Sequence, residues 1–309
     1  MTQGGTRRIA VIGLGSMGHG MATSLQRVAE VTGYDPDADA ARRFTEAGGT
    51  VMGSAAEAAR DADVLVVAVV NALQTEGVLF GTPQASGAVS AMRANGVVIS
   101  SATMAPDEAR RIAARVSEAG PDYLDAPMSG GAGRAATGEL TILASGSAQA
   151  FSRAEVALGA VAKTVHRLGD EPGTGAAFKI VNQLLAGVHI AAACEAIAFA
   201  KRLGLDIDKV FEVITGSAGN SWMFENRVPH ILKGDYRPAS AVDIFTKDLG
   251  IVADIGRATK FPTPLAASAM QLFLMTAAAG MGRDDDASVA RLYARIADLD
   301  LPGMTPDRR

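Results

Sequence analysis

At 309 residues, with 48% hydrophobic and 20% charged side chains, the chain has a globular balance and the length for two domains with sizeable cores. A formal charge of -4 argues against a nucleic-acid partner, and a single cysteine, Cys194, excludes a disulfide framework and a cysteine-rich metal site. No charged-then-apolar leader opens the chain, residues 1–7 read as a frayed polar tail, and charges interrupt the long apolar runs, so the expectation is a soluble cytoplasmic protein.

Arg8-Ile9-Ala10-Val11-Ile12 is a short apolar run, the mark of a buried parallel strand. Gly13-Leu14-Gly15-Ser16-Met17-Gly18 follows, then a helical pattern over 17–28 and a second strand over 31–34 that ends in Asp35. A bare G-x-G-x-x-G is weak evidence, but here a strand precedes it, a helix follows, and an acid closes the next strand. The glycines permit a tight turn and bring the backbone close to a pyrophosphate whose charge sits on a helix N-terminus. Asp35 is placed to accept hydrogen bonds from a ribose diol and would repel a 2′-phosphate, so NAD is favoured over NADP. A methyltransferase glycine loop stays open at this point.

The α/β alternation continues. Ser54 with Glu57 forms a capping-box pattern for a helix to Asp61. The spacing predicts strands over 64–70 and 96–100 and a helix over 106–119, opened by Pro106. Val70, Asn71 and Thr103 follow strand ends, where ligands of open α/β sheets bind, and are candidates for cofactor contacts; turn and cap chemistry is the alternative. Residues 123–138 then carry Asp125-Ala126-Pro127-Met128-Ser129-Gly130-Gly131, a glycine-rich turn whose exposed N–H groups suit a carboxylate. Strands over 123–125 and 139–144, a helix over 148–160 and a strand over 164–167 complete this half. The predicted boundary lies at 169–173, giving a dinucleotide-binding domain at 1–170 and an all-helical substrate and dimerisation domain at 171–309.

Beyond Asp170 no strand is predicted. A helix over 176–203, about 42 Å long at the standard rise, is apolar nearly all round and needs cover from other helices or a second subunit. Lys179, Asn182 and Gln183 stand at i, i+3 and i+4 on it and share a face. Cys194 lies in the same apolar pattern and reads as buried and inert. A helix capped by Asp208 runs to Thr215, residues 216–222 form a polar turn, and helices follow over 242–258, 265–281 and 287–299. Asp284, Asp285 and Asp286 read as helix-start charges rather than a metal site.

A nicotinamide-binding half joined to a helical half points to hydride transfer, which needs a proton acceptor or donor beside it. The chain has no Tyr-x-x-x-Lys pair, and its 4 histidines show no metal spacing. Lys179 is left as the acid/base, neutral when it takes a proton; its alternative is a snorkelling surface lysine.

Gly13–Gly18, the 125–131 segment, Gly175-x-x-x-Lys179-x-x-Asn182 and Lys247-Asp248, in this order over nearly the whole chain, resemble the β-hydroxyacid dehydrogenases, the group of 3-hydroxyisobutyrate and tartronate semialdehyde reductases. The resemblance implies a Rossmann-type α/β N-terminal domain and an all-α C-terminal domain joined by a long helix, with Lys179 as catalytic acid/base. It further implies Ser129, Gly130 and Gly131 on the substrate carboxylate, Asn182 on a substrate hydroxyl, Thr103 near the nicotinamide, Lys247 near cofactor and substrate, and Asp248 in the substrate pocket. Many members carry two consecutive Asn where this chain has Asn182-Gln183. That pair, together with Asn220-Ser221-Trp222, is similar to a subgroup that oxidises the 2-hydroxyl of L-threonate to 2-dehydro-L-erythronate, which puts Gln183, Asn220 and Trp222 against a polyol substrate. The alternatives are a tartronate semialdehyde or glyoxylate reductase, an imine reductase and a catalytically dead NAD-binding scaffold. A homodimer or homotetramer is expected, with no metal, membrane or nucleic-acid partner.

Overall fold

The computed structural model describes residues 7–304; the tail expected over 1–7 lies, except for Arg7, outside the described residues. The chain divides into two compact units, Met1–Lys179 and Ile180–Arg309.

The first unit is built on a six-stranded parallel sheet. Its strands are β1 (Arg8–Ile12), β2 (Glu30–Tyr34), β3 (Thr50–Val51) and β4 (Val64–Val67), and, after a small hairpin of β5 (Gly81–Thr82) and β6 (Ala85–Ser86), β7 (Val97–Ser100) and β8 (Asp122–Asp125). Their order is β3-β2-β1-β4-β7-β8. The direction of winding reverses between β1 and β4, which pair in parallel from Ile9↔Val64 to Ile12↔Val67. Such a reversal opens a crevice at the carboxyl ends of the two strands. Both faces are covered, and the pleat divides the apolar run between them: Ile9 and Val11 join one core with Met21, Leu25 and Phe151, and Ala10 and Ile12 join another with Leu79, Ile112 and Val116.

The covering helices are α1 (Ser16–Leu25), α2 (Ala38–Glu46), α3 (Ala55–Ala58), α4 (Ala72–Phe80), α5 (Pro106–Glu118), α6 (Gly131–Thr137) and α7 (Ala148–Val161). A second sheet, ordered β11-β10-β9, joins β9 (Met128–Ser129), β10 (Leu140–Ala144) and β11 (Ala162–Arg167). Three expectations change here. The strand predicted over 64–70 stops at Val67, because Asn71 Oδ1 accepts from the Gln74 N–H (2.9 Å) and starts α4, a helix the pattern reading lacks. The glycine-rich stretch after Gly130 is the short helix α6 rather than a loop. The helix after Ser54 is only four residues long, and Glu57 bonds back to the Gly53 N–H (3.0 Å).

α8 (Thr174–Arg202) begins in the first unit and continues into the second, which also holds α9 (Ile207–Thr215), α10 (Trp222–Lys233), α11 (Val242–Thr259), α12 (Pro264–Thr276) and α13 (Val289–Ala297). Its core gathers Ile190, Cys194, Ile197, Val228, Phe245, Leu249 and Phe273, with Phe245 and Phe273 stacked at 5.1 Å. Two starts differ from expectation. Asp206, not Asp208, caps α9, accepting from the Asp208 (3.0 Å) and Lys209 (3.4 Å) N–H groups. Ser221 caps α10, which the pattern reading takes no further than a polar turn.

The Asp284–Asp286 triplet is more than a set of helix-start charges, since Asp285 and Asp286 are 0% exposed. Asp285 Oδ1 meets His230 Nδ1 at 3.0 Å and accepts from the Ala287 N–H (3.1 Å). Asp286 receives two bonds from the Arg227 guanidinium, at 2.5 and 3.0 Å. Burial pushes the Asp286 carboxyl up to about 6 against the pull of Arg227. The bond to Asp285 raises His230, while His230 and two backbone N–H groups hold Asp285 below the usual carboxylate value despite its burial. Removing one partner of such a pair leaves a buried charge uncompensated.

By length and hydropathy alone, Thr174–Arg202 and Pro264–Met281 would each reach across a bilayer. The first carries Lys179, Asn182, Gln183 and Glu195 and has 56% of its most apolar window buried, as a core helix does; the second has 28% buried.

Candidate active site

The glycine turn at the β1/β4 reversal is the candidate dinucleotide site of the first unit. Gly13 has φ +92°, and a Cβ on it would stand 2.6 Å from the Ala68 carbonyl oxygen. A Cβ on Gly18 would lie 1.8 Å from the Gly13 oxygen, so the turn closes only with glycine at both places. Gly15 differs, with open space where its side chain would be. It is the N-cap of α1 and supplies no side-chain cap, so the first N–H groups of α1 face that opening beside the exposed Ser16. Such a cradle fits a pyrophosphate. Asp35, at the end of β2, accepts from the Leu14 (2.6 Å) and Asp37 (2.8 Å) N–H groups, which fixes its carboxylate next to the glycine turn. Leu14 is fully buried, and Met17 packs against the same core, so both hold the turn from below.

Val70 and Asn71 lie past the end of β4, the Val70 N–H donating to Gln74 Oε1 (2.9 Å) while Asn71 caps α4. The Asn71 side chain is thus engaged in capping, the alternative given for it from the sequence. Thr103 sits half-buried in the segment between β7 and α5.

At the other end of the sheet, Gly130 and Gly131 have φ +134° and +78°, and a side chain on Gly131 would meet nothing within 4 Å. Ser129 is tied in register to Thr141 of β10. This turn is tied to β10 at Ser129 and open at Gly131, as a carboxylate site requires. The same segment begins with Asp125, which the pattern reading treats only as a strand end. Its carboxylate is 1% exposed and accepts from the Gly173 (2.9 Å) and Ala176 (2.8 Å) N–H groups at the start of α8. Ser145, past the end of β10, accepts the Gly175 N–H (2.9 Å) and donates to Asp125 Oδ2 (3.4 Å). One turn farther along α8 stands Lys179, 8% exposed, so the snorkelling alternative does not hold. In the sequence Asp125 is only a carboxylate closing an apolar strand, and nothing local marks its α8 partners, 48 and 51 residues away.

In the second unit the two amides of α8 separate. Gln183, at i+4 from Lys179, is 7% exposed, whereas Asn182 is half-buried. Gln183 Nε2 donates to Asp248 Oδ2 (2.5 Å), and Asn182 Nδ2 donates to Gln183 Oε1 (3.0 Å). Asp248, 1% exposed, is paired by its other oxygen with Lys247 Nζ at 2.8 Å. Lys247, Asp248, Gln183 and Asn182 therefore form one polar chain, and Asp248 faces inward to Gln183 and Lys247. Asn220 donates to the Thr215 carbonyl oxygen (3.1 Å) and to Glu225, so its amide stabilises the turn into α10; Trp222, at the first position of that helix, is 48% exposed. Among the described residues no group of three His, Cys, Asp or Glu side chains is arranged to hold a metal.

Comparison with known proteins bears directly on this arrangement. Residues 8–169 match the model for the NAD-binding domain of 6-phosphogluconate dehydrogenase, and residues 173–293 match that for the NAD-binding region of NADP-dependent 3-hydroxyisobutyrate dehydrogenase. The chain is 54% identical over 299 residues to an L-threonate dehydrogenase of Cupriavidus necator, covering 96% of this chain and 99% of that one. It is 46% identical over 305 residues to an L-threonate dehydrogenase of Escherichia coli K12, covering 98% and 99%. The chain belongs to the β-hydroxyacid dehydrogenase family. A crystal structure of 3-hydroxyisobutyrate dehydrogenase from Salmonella typhimurium superposes with a TM-score of 0.87 at 46% identity, over 93% of this chain and 99% of that one. This β-hydroxyacid dehydrogenase accordingly uses NAD. The methyltransferase alternative falls away.

Proposed function

We propose that this dehydrogenase oxidises L-threonate at its 2-hydroxyl to 2-dehydro-L-erythronate. The observation that carries the reading is 44–54% identity, over nearly the full length of both partners, to L-threonate dehydrogenases from several bacteria. Residues 1–170 hold the nucleotide: Gly13–Gly18 receive the pyrophosphate on the N-terminus of α1, Asp35 receives the ribose hydroxyls, and Val70, Asn71 and Thr103 line the crevice toward the nicotinamide, which when bound accepts the hydride. Residues 171–309 serve the substrate and association.

Lys179 Nζ takes the proton of the 2-hydroxyl as the carbon–hydrogen bond breaks, and returns it in the reverse direction. Ser129, Gly130 and Gly131 hold the carboxylate through backbone N–H groups and the serine hydroxyl. Asn182 orients a hydroxyl, its amide set by Gln183, which Asp248 and Lys247 hold in turn. Asn220 and Trp222 line the distal polyol end.

The test follows reduced-nicotinamide absorbance with L-threonate, D-threonate, D-erythronate, D-glycerate and 3-hydroxyisobutyrate, each with NAD or NADP. Rapid reduction of NAD by L-threonate alone is expected; activity with D-glycerate and none with threonate overturns the substrate. Lys179→Ala is expected to lower kcat by about 10²–10⁴-fold, the usual range for a general base, with NAD binding kept; wild-type turnover removes Lys179 from the chemistry.

The enzyme works in the cytoplasm as a homodimer or homotetramer. What supports association is the apolar exposure of Val181, Leu185 and Phe199 along α8 and of Leu265, Leu274 and Met275 on α12. A monodisperse monomer in light scattering overturns it.

A further inference from the structure

We propose that Asp125 is a positioning residue, whose buried carboxylate sets the first turn of α8, and through it Lys179, relative to the carboxylate-binding turn at Ser129, Gly130 and Gly131. This rests on the reading of Lys179 as the acid/base.

Three observations converge. First, the start of α8 carries N–H groups without intrahelical partners, and three of them, from Gly173, Gly175 and Ala176, are taken by side chains from outside the helix, Asp125 and Ser145. A helix held at three N–H groups within its first turn is fixed in height and in rotation about its axis. Lys179 lies three residues beyond Ala176, so its direction follows from that rotation. Second, Asp125 is bound to the substrate turn by main chain. Asp125 and Ser145 exchange both backbone hydrogen bonds (3.0 and 2.8 Å), Leu143 N–H donates to the Pro127 carbonyl (2.9 Å), and Met128 and Ser129 pair with Ile142 and Thr141. No flexible joint separates the carboxylate from Ser129. Third, the approach is too close for any residue but glycine: a Cβ on Gly175 would stand 2.4 Å from the Leu143 oxygen and 3.0 Å from the Asp125 oxygen, and Gly173 has φ +98°. The Gly173-Thr174-Gly175 sequence is thus the mate of Asp125.

The groups that face this carboxylate are the N–H groups of α8, the Ser145 hydroxyl, Arg110 of α5 and the phenol of Tyr123 on its own strand. Burial pushes its carboxyl up to about 6, opposed by the Ala176 and Gly173 N–H groups, Ser145 and Arg110. At neutral pH it is the acceptor of those bonds, and below about 6 it gains a proton and loses acceptor capacity.

The experiment compares the full-length wild type with Asp125→Asn, Ser145→Ala and Lys179→Ala. Asp125→Asn keeps the shape but replaces the charged acceptor of the Gly173 and Ala176 N–H groups, Oδ2, with a neutral amide oxygen. Active sites are counted by NAD titration, and kcat, the KM for L-threonate and the NAD Kd are read per site. Asp125→Asn is expected to lower kcat about 10–100-fold, as a displacement of order 1 Å does, with the NAD Kd within about twofold because the Gly13–Gly18 turn is untouched. In the reductive direction, where Lys179 acts as an acid, the wild-type rate falls below about pH 6 and the Asp125→Asn profile lacks that limb. Ser145→Ala, which removes one of the three anchors, lowers kcat by a smaller factor and serves if Asp125→Asn fails to fold. A kcat per site within twofold of wild type for the variant that folds, or an unchanged acidic limb in Asp125→Asn, overturns the proposal even if thermal stability drops. Wild-type turnover in Lys179→Ala overturns the acid/base reading instead, whatever Asp125→Asn does.

Discussion

Two helix N-termini in the first unit receive opposite treatment. At the start of α1, Gly15 supplies no cap and leaves open space where a side chain would stand. At the start of α8, the protein fills the equivalent place with its own carboxylate, Asp125, and the Ser145 hydroxyl. The backbone physics is the same in both: several N–H groups without partners and a partial positive charge. On the proposed function, one end is left for an anion that comes and goes, and the other holds a carboxylate of the chain itself. An open helix end thus marks a ligand site, and a filled one marks a joint whose geometry matters.

The contrast breaks most sharply if the open end is filled. Gly15→Asp is expected to weaken NAD binding by about tenfold or more, the loss of one or two charge-assisted hydrogen bonds, while stability rises by a few tenths of a kcal/mol from the new cap. Isothermal titration and thermal melts read the two effects, and unchanged NAD affinity would show that the pyrophosphate lies elsewhere. Gly18→Ala acts on the turn itself: with a Cβ 1.8 Å from the Gly13 oxygen, it is expected to destabilise the first unit by about 1–3 kcal/mol, visible in urea denaturation. Opening the filled end in part, Ser145→Ala leaves the buried Gly175 N–H without an acceptor, at a cost of about 1–3 kcal/mol and no change in NAD Kd.

The second unit has a smaller case. Asp285 caps the turn at Asp286–Ser288 and leans on His230. His230 is raised above its ordinary value, so this stabilisation is complete below the unfolded histidine value and is lost as pH rises through the folded one. The melting temperature of the wild type should therefore fall relative to His230→Gln as pH rises above about 6.5, by an amount equivalent to about 1 kcal/mol or less because the ring is partly exposed. A difference independent of pH would show that His230 is neutral throughout.

Much of the first unit is legible in the sequence because its signals are local. The run at 8–12, the glycine turn and Asp35 each state their roles through backbone chemistry within a few residues, and the winding order follows. The sequence also places Lys179, Asn182 and Gln183 on one face, but periodicity cannot rank them by depth. The packing buries Lys179 and Gln183 and leaves Asn182 half-exposed. Helices α4 and α10 are hidden because their starts look like turns until Asn71 and Ser221 are seen to accept from residues three positions on. Asp125, Asp285 and Asp286 are illegible for a different reason: their partners lie 48 to 59 residues away. A carboxylate in a sequence looks the same whether water or a guanidinium surrounds it.

The parallel sheet has a consequence for the order of assembly. Ile9 of β1 pairs with Val64, and Val97 of β7 with Asp122 of β8, so the sheet consists of contacts distant in sequence, which form slowly. The first turn of α8 cannot gain its anchors until β8 and β10 have brought Asp125 and Ser145 together. Lys179 is therefore set after the nucleotide turn. In pulse-labelled hydrogen exchange during refolding, the amides of Gly175 and Ala176 should gain protection later than those of residues 9–12; simultaneous protection would show that α8 docks with the sheet in one step. A chain halted between those stages would bind NAD and catalyse nothing.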